Sequence, residues 1–248
     1  MLRTIVRVLL VLVVVLLLPR AAYAQRELLS PLGAKHTLAL DQLSGFRASA
    51  VGGIVGGAGF AYAGPIGFAR QSYTEAAFNN IGDTTVRTTT IWFAPSADFF
   101  VIESLSVGGL IEVSSTSGSI EIPINAATRQ TNDLATTTNF TILPRVGYLI
   151  AFTERFGLWP RAGFGYAARQ RPDPNNANDK NSTYGFLIDL DVGLIYRPVE
   201  PVYFRLGPEL AFSLGASHSR TTGGTTISAN ASWFQFAALG GVGIFLDL

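Results

Sequence analysis

Charged side chains are the residues of this sequence best able to do chemistry, because the chain has only two histidines and no cysteine. Thiolate metal sites and disulfides are therefore not expected. Acidic and basic residues recur at matching alternate positions of otherwise apolar segments. Alternate side chains of a strand share one face, so these residues are expected to line a common polar interior. They are Asp41, Asp98, Glu112, Arg145, Arg161, Asp189, Asp191, Arg205 and Glu209.

Catalysis has one main candidate, His218, which lies between Ser217 and Ser219. A histidine base needs its serine within hydrogen-bond reach and a third group to orient it. Adjacent residues of a strand point to opposite faces, so neither serine is well placed. We therefore expect a solvated loop histidine there, and an equally inert His36. No catalytic residue, metal or cofactor is predicted, although a rim enzyme using His218 remains an alternative.

The elements that would hold the charged residues are strands with one continuous apolar face. Period-two alternation runs through residues 105–113, 140–152, 184–196 and 202–214. In the second of these the even positions read Phe140, Ile142, Pro144, Val146, Tyr148, Ile150 and Phe152. A barrel that faces lipid needs such an apolar outer face. By the same parity, Trp159 and Trp233 point inward.

The whole chain resolves into eight predicted strands joined by two kinds of connection. Tight turns at 103–104, 153–155 and 198–201 alternate with long polar or glycine-rich loops at 51–85, 118–136, 169–182 and 218–230. This is the up-and-down pattern of antiparallel membrane barrels. The strands are expected near residues 37–50, 86–101, 105–117, 137–152, 156–168, 183–197, 202–217 and 231–248.

The N-terminus has the order of a secretory signal peptide. Arg3 and Arg7 precede an apolar run, and Ala22-Tyr23-Ala24 closes it. A retained anchor is the alternative, but the run is shorter than the roughly 20 residues that a spanning helix needs. We predict a signal peptide at 1–24, a periplasmic lead-in at 25–36 and an all-β transmembrane barrel domain at 37–248. The mature chain keeps 15 basic and 17 acidic residues, which does not suggest nucleic-acid binding.

In this pattern of strands and connections the chain resembles the small eight-stranded outer-membrane barrels of the outer-membrane-protein-A and outer-membrane-protein-X type. The resemblance covers almost all of the mature chain and lies in topology rather than in a motif. It implies a bacterial outer-membrane location with both termini periplasmic. It also implies outer-membrane lipid and the barrel assembly machinery as partners.

The inward charges have two interpretations. An eight-stranded barrel is just wide enough for side chains to fill, which favours a salt-bridged polar plug. The alternative is a narrow ion path or small-molecule site lined by the same residues. Arg145 and Arg161 are expected to be cross-strand neighbours with carboxylates between them, since like charges repel.

Two features complicate this prediction. Pro95, Pro144, Pro160 and Pro208 lie inside predicted strands, where each lacks an amide donor, so bulges, weakened pairing or strand ends are expected there. Residues 51–85 are apolar in places. They could form a structured outer loop, which we favour, or an extra strand pair in a ten-stranded barrel.

The sequence therefore predicts an outer-membrane barrel with a structural or surface-interaction role. An extracellular partner, not identified by the sequence, would bind through the loops at 51–85 and 118–136. A small porin is the other alternative, and it would require a water path past Arg145 and Arg161.

Overall fold

Antiparallel strands make up almost all of the described chain. The computed structural model describes residues 32–53, 57–75, 83–124, 128–172 and 179–248. The predicted signal peptide at 1–24 and residues 25–31 of the predicted lead-in lie outside the described residues. Among the residues that are described, no helix is long and apolar enough to cross a membrane.

Thirteen strands are present in the described ranges. They are β1 Thr37–Gly53, β2 Gly57–Ala63, β3 Ile66–Glu75, β4 Thr84–Phe93, β5 Ser96–Ile102, β6 Leu105–Pro123, β7 Arg129–Tyr148, β8 Ile150–Ala151, β9 Phe156–Pro172, β10 Lys180–Tyr196, β11 Val202–Thr222, β12 Thr225–Ala231 and β13 Trp233–Asp247.

Eight strands form a closed wall, and we call the place of each strand in it a wall position. Neighbours follow the order β1, β13, β11, β10, β9, β7, β6, and β5 then joins β6 back to β1. The shorter pieces continue these positions: β4 continues β5 along β6, β8 continues β7 along β9, and β12 continues β13 along β11. The expected all-β, eight-stranded antiparallel barrel is confirmed.

The two ends of the barrel domain meet at the turn end of the barrel. Thr37 pairs with Asp247, and the Leu248 amide donates to the His36 carbonyl oxygen at 3.2 Å. We call this the turn end because the tight connections after β5, β8 and β10 also lie there. The opposite end, where the longer strands project, is the loop end.

Apolar side chains cover the outside of the wall, as the alternation predicts. Val146, Phe186 and Leu206 are each about half exposed, at 50%, 51% and 55% of their full area. The neighbouring residues along each strand face inward, and apart from buried apolar side chains such as Leu187 they are small, polar or charged. The apolar face is thus an outer surface and not the core of a sandwich.

The predicted loops are shorter than expected, because several strands run far into them. β6 and β7 extend to 123 and from 129, so most of the predicted loop at 118–136 is strand. β9 and β10 likewise shorten the loop at 169–182, and β11 and β12 form a tight hairpin at Gly223 and Gly224 in place of the loop at 218–230. Alternation ends in these extensions because both faces are polar, but the backbone ladder does not need an apolar face.

Residues 51–85 also require a correction. The favoured structured loop is replaced, in the described part, by the end of β1, by β2 and β3, and by the start of β4. β2 pairs with β1 and β3 pairs with β4, so this pair widens only the loop-end half of the wall. The turn between β2 and β3 contacts the connection between β4 and β5, where the Ala94 amide donates to the Pro65 carbonyl oxygen at 2.7 Å. Glycine and alanine make up five of the seven residues of β2 and give it little apolar alternation, whereas β3 has only one of each in ten residues.

The four prolines weaken the wall in the ways expected. Pro95 separates β4 from β5. Pro144 and Pro208 each fall in a two-residue interruption of one ladder, toward β9 and β10 respectively. Pro160 lies opposite the gap between β7 and β8. In each case the ladder is interrupted where the missing amide would have donated.

An apolar cluster fills the turn end of the lumen. Trp159 and Tyr203 are fully buried in it, and Tyr203 stacks on Phe245 with ring centroids 4.4 Å apart. We call this group the apolar seal. Its members are Leu32, Ala39, Phe100, Leu149, Trp159, Ile195, Tyr203 and Phe245.

Gly243 provides a test of this packing. A Cβ atom on Gly243 would lie 2.2 Å from the Cζ atom of Tyr203, so the ring could not keep its place. We expect Gly243→Ala to lower the free energy of unfolding by about 1–3 kcal/mol, as overpacking does. Urea titration of the protein refolded in detergent micelles measures it.

The matched control is the same substitution in a Tyr203→Ala background. Without the ring there is no collision, so Gly243→Ala should cost almost nothing there. Equal losses in both backgrounds would contradict the packing described here.

Candidate functional site

The inner face of the barrel gathers six of the nine candidate residues into one cluster. Three aspartates and three arginines come from six different wall positions, and each is at least nine-tenths buried. We call it the charge cluster. It consists of Asp41, Asp98, Arg145, Arg161, Asp191 and Arg205.

Each aspartate of the charge cluster bridges at least two arginines, and Asp41 contacts all three. Asp98 accepts from Arg145 Nε at 3.0 Å and from Arg161 Nη1 at 3.0 Å. It therefore separates two cations that would otherwise repel each other. Arg145 pairs with Gly163 and Arg161 with Gly147, so the two arginines are diagonal rather than directly opposed.

Asp41 and Asp191 complete the alternation of charge. Asp41 Oδ2 lies 2.8 Å from Nη1 of Arg161 and 2.8 Å from Nη1 of Arg205. Asp191 accepts from Arg161 Nε at 2.9 Å and from Arg205 Nη2. Tyr203 donates to Asp41 at 3.1 Å and so links the cluster to the apolar seal. The six formal charges sum to zero, which a buried ionic group requires.

Glycines on neighbouring strands make room for the large inward side chains. A Cβ atom on Gly193 would lie 2.6 Å from Arg205 Nε, and one on Gly147 would lie 2.6 Å from Trp159 Nε1. Because the side chains of Arg205 and Trp159 occupy the space beside them, these two glycines serve packing rather than turns.

The charge cluster and the apolar seal are stacked layers. The Arg161 guanidinium lies over the Trp159 ring, 4.6 Å from its centroid, and Trp159 Nε1 donates to Ser106 Oγ at 3.2 Å. Aromatic faces attract cations, so the contact joins the two layers. Together they occupy the lumen from the turn end upward.

Toward the loop end a cavity of about 410 Å³ adjoins the charge cluster. Arg145 and Asp191 form part of its lining, as do the remaining candidates Glu112, Asp189 and Glu209. Glu209 pairs with Arg47, which reaches the same cavity from β1. In the amide orientation that satisfies both groups, the Gln235 oxygen accepts from Arg47 Nη2 at 3.0 Å.

Arg47 is an inward cation that the sequence analysis missed. β1 carries two extra residues between Leu40 and Ser44 relative to β13, and an insertion of two preserves the alternation of faces. Arg47 therefore shares the face of Asp41. Carrying that parity through the end of β1 would have identified it.

Asp189 and Glu112 differ from the other acidic candidates. Asp189 is only 6% exposed and Glu112 is half-buried. Within the described residues neither side chain has an ion pair or hydrogen bond to the protein. The structure therefore brings seven of the nine candidates into ion pairs, and leaves two carboxylates facing the cavity.

The two histidines lie away from this interior network. His218 Nδ1 and the Thr183 hydroxyl are 2.8 Å apart, so the hydroxyl partner is a threonine of β10 and not Ser217 or Ser219. His36 stacks on Phe99 near the turn end, with ring centroids 6.3 Å apart. Over the described ranges, no group of three or more acidic or histidine side chains is arranged to hold a metal ion.

Comparison with known proteins finds similarity only at the level of structure. No family model matches the sequence, and no curated protein matches it. The outer membrane protein OprG from Pseudomonas aeruginosa aligns over 88% of this chain and 100% of its own, with 9% identity and a TM-score of 0.45. Ail, the attachment invasion locus protein of Yersinia pestis, aligns over 86% and 99%, with 11% identity and a TM-score of 0.36.

Asp98→Asn tests the charge cluster. The substitution removes one of the two carboxylates that the buried Arg145 and Arg161 share, and removing one partner of a buried pair costs about 3–5 kcal/mol. We expect a loss of that size in the free energy of unfolding, measured by urea titration in micelles.

Asp133→Asn is the matched control, since Asp133 is an exposed residue of β7. The same chemical change there should alter stability by less than about 0.5 kcal/mol. Similar effects from the two substitutions would show that Asp98 is not bridging buried cations.

Proposed function

We propose that this protein is a bacterial outer-membrane barrel with a closed lumen and a structural or surface-interaction role. One observation carries the proposal: the wall is apolar outside, while the charge cluster and apolar seal fill its inside at the turn end. In water such an outside would drive aggregation, whereas in a bilayer it faces lipid. Residues 1–24 direct export in this proposal.

Aromatic side chains support a membrane-spanning position. At the turn end Phe156, Tyr196 and Phe204 stack in a row on the outer face, with centroids 4.7 and 6.4 Å apart. Tyr184, 41% exposed, lies twelve residues along β10 toward the loop end. For a strand tilted by about 40° that separation is roughly 30 Å of height, close to the hydrocarbon thickness.

The orientation follows from the connections. Outer-membrane barrels keep short turns in the periplasm and longer connections outside. The turn end, with both ends of the barrel domain, then faces the periplasm. Outer-membrane lipid and the barrel assembly machinery are the partners that this position implies.

The loop-end extensions are the proposed interaction surface. β4, β6 and β7 continue there as polar strands in which Glu121 forms ion pairs with Arg87 and Arg129, at 3.3 and 3.7 Å. This paired, ordered sheet would present the connections near 51–85 and 118–136 to an extracellular partner. Rigid presentation lowers the entropy lost on binding.

The alternatives have less support. A porin needs a water path past Arg145 and Arg161, and both side chains are bound within the charge cluster. A rim enzyme using His218 needs a third group that orients the imidazole beside a hydroxyl. The Thr183 hydroxyl lies beside Nδ1, but among the described residues no carboxylate pairs with His218. Neither activity forms part of the proposal.

Cell fractionation with a heat-shift gel tests the location. Closed lipid-embedded barrels resist unfolding until heated, so the unboiled protein from outer membranes should migrate differently from the boiled protein. A soluble periplasmic protein without a shift would refute the proposal.

Paired variants sharpen this test. Ile142→Arg places a charge in the middle of the proposed lipid face. It should lower the free energy of unfolding of the barrel by about 2–4 kcal/mol. Thr131→Arg lies in the exposed extension of β7 and should leave the shifted band unchanged.

Planar-bilayer recording tests the closed lumen. Because two layers of side chains fill the turn end, protein that shows the heat shift should give no discrete conductance steps. A porin inserted from the same detergent is the positive control. Discrete steps that disappear in Arg145→Ala would establish a channel and overturn the closed lumen.

A further inference from the structure

The cavity above the charge cluster has an unbalanced negative charge. The charge cluster itself is neutral, with three arginines and three aspartates. Above it, Arg47 is the one cation among the described lining residues outside the cluster, and Glu112, Asp189 and Glu209 are the acids. The upper lining therefore has a formal charge of about −2 in its ionised form.

Asp189 is the buried carboxylate at which this excess negative charge is concentrated. Its side chain is more than nine-tenths buried, lines the cavity and has no ion pair or hydrogen bond within the described residues. The charged groups around it are the acids Glu209 and Asp191 and the cations Arg47 and Arg145. These four groups are all in ion pairs, whereas Asp189 is not. A buried carboxylate without a partner is costly, so Asp189 is placed to accept hydrogen bonds from a ligand.

The rest of the lining fits an organic cation better than a metal ion. Over the described ranges, the carboxylates do not converge in a group able to hold a metal. Trp92 and Trp233 line the cavity, and indole rings attract ammonium groups. Hydroxyl and amide groups of Thr90, Asn139 and Thr141 also line it. About 410 Å³ lies within the range of small-molecule sites.

We propose that this cavity binds a small organic cation bearing ammonium groups, held by Asp189 and Glu112 beside the two tryptophans. Ammonium groups supply hydrogen-bond donors to the two carboxylates and reduce the charge imbalance. A diamine with two such groups matches the formal charge of the lining. The inference depends on the barrel interior alone and goes beyond the proposed role in the membrane.

Isothermal titration with putrescine, a short aliphatic diamine, tests the proposal. The chain without its predicted signal peptide, residues 25–248, is refolded in neutral detergent micelles and checked by heat shift. We expect saturable one-to-one binding, with affinity reduced at least tenfold in Asp189→Asn. Asp133→Asn makes the same charge change on the exposed part of β7 and should bind as the parent does. Butanediol of the same chain length should not bind.

Several results would overturn the proposal. These are an absence of saturable binding to folded parent protein, equal weakening in Asp133→Asn, or magnesium binding that Asp189→Asn abolishes while putrescine does not bind. If Asp189→Asn fails to give the shifted band, Glu112→Gln, at a half-buried position, carries the same test. Fractionation and conductance do not enter these outcomes, so failure here is distinguishable from failure of the proposed function.

Discussion

The rest of the structure depends on the ion pairing of three arginines with three aspartates inside a narrow wall. A barrel of eight strands has an interior that side chains must fill, and here the filling is charged at the centre. Buried charges are tolerated only with partners and hydrogen bonds. Because each aspartate bridges at least two arginines, the positions of six wall strands are coupled through one group of contacts.

The apolar seal and the charge cluster close the lumen in different ways. The seal excludes water from the turn end by packing, with Trp159 and Tyr203 fully buried. The charge cluster fixes register, since an arginine displaced by one residue would point to lipid. Tyr203 and Arg161 bridge the layers through Asp41 and Trp159. Above these two layers side chains no longer fill the lumen, and charged residues line a cavity instead.

The architecture could be predicted from the sequence because strand alternation reports directly which face meets lipid. Parity alone assigned Asp98, Arg161 and Asp191 to one interior, and they are together. It could not give the strand ends, because polar extensions such as the end of β6 lack an apolar face. It also favoured a loop over the extra strand pair β2 and β3, because the glycines and alanines of β2 leave little apolar bulk. Which carboxylates lack a partner is a matter of side-chain geometry. Asp189 and Asp191 share a parity, but only the structure separates their roles.

Asp41 lies on the first strand of the barrel and Arg205 on the seventh wall strand, 164 residues later. Asp41 can pair with Arg205 only when the first and last strands of the wall have met. Before that, Arg205 has only Asp191 as a carboxylate partner, and Arg161 has Asp191 and Asp98. Closing the wall and completing the ion pairs of Asp41 are therefore the same event. An open sheet lacks this part of the charge cluster, so the ionic contacts favour the closed barrel over it.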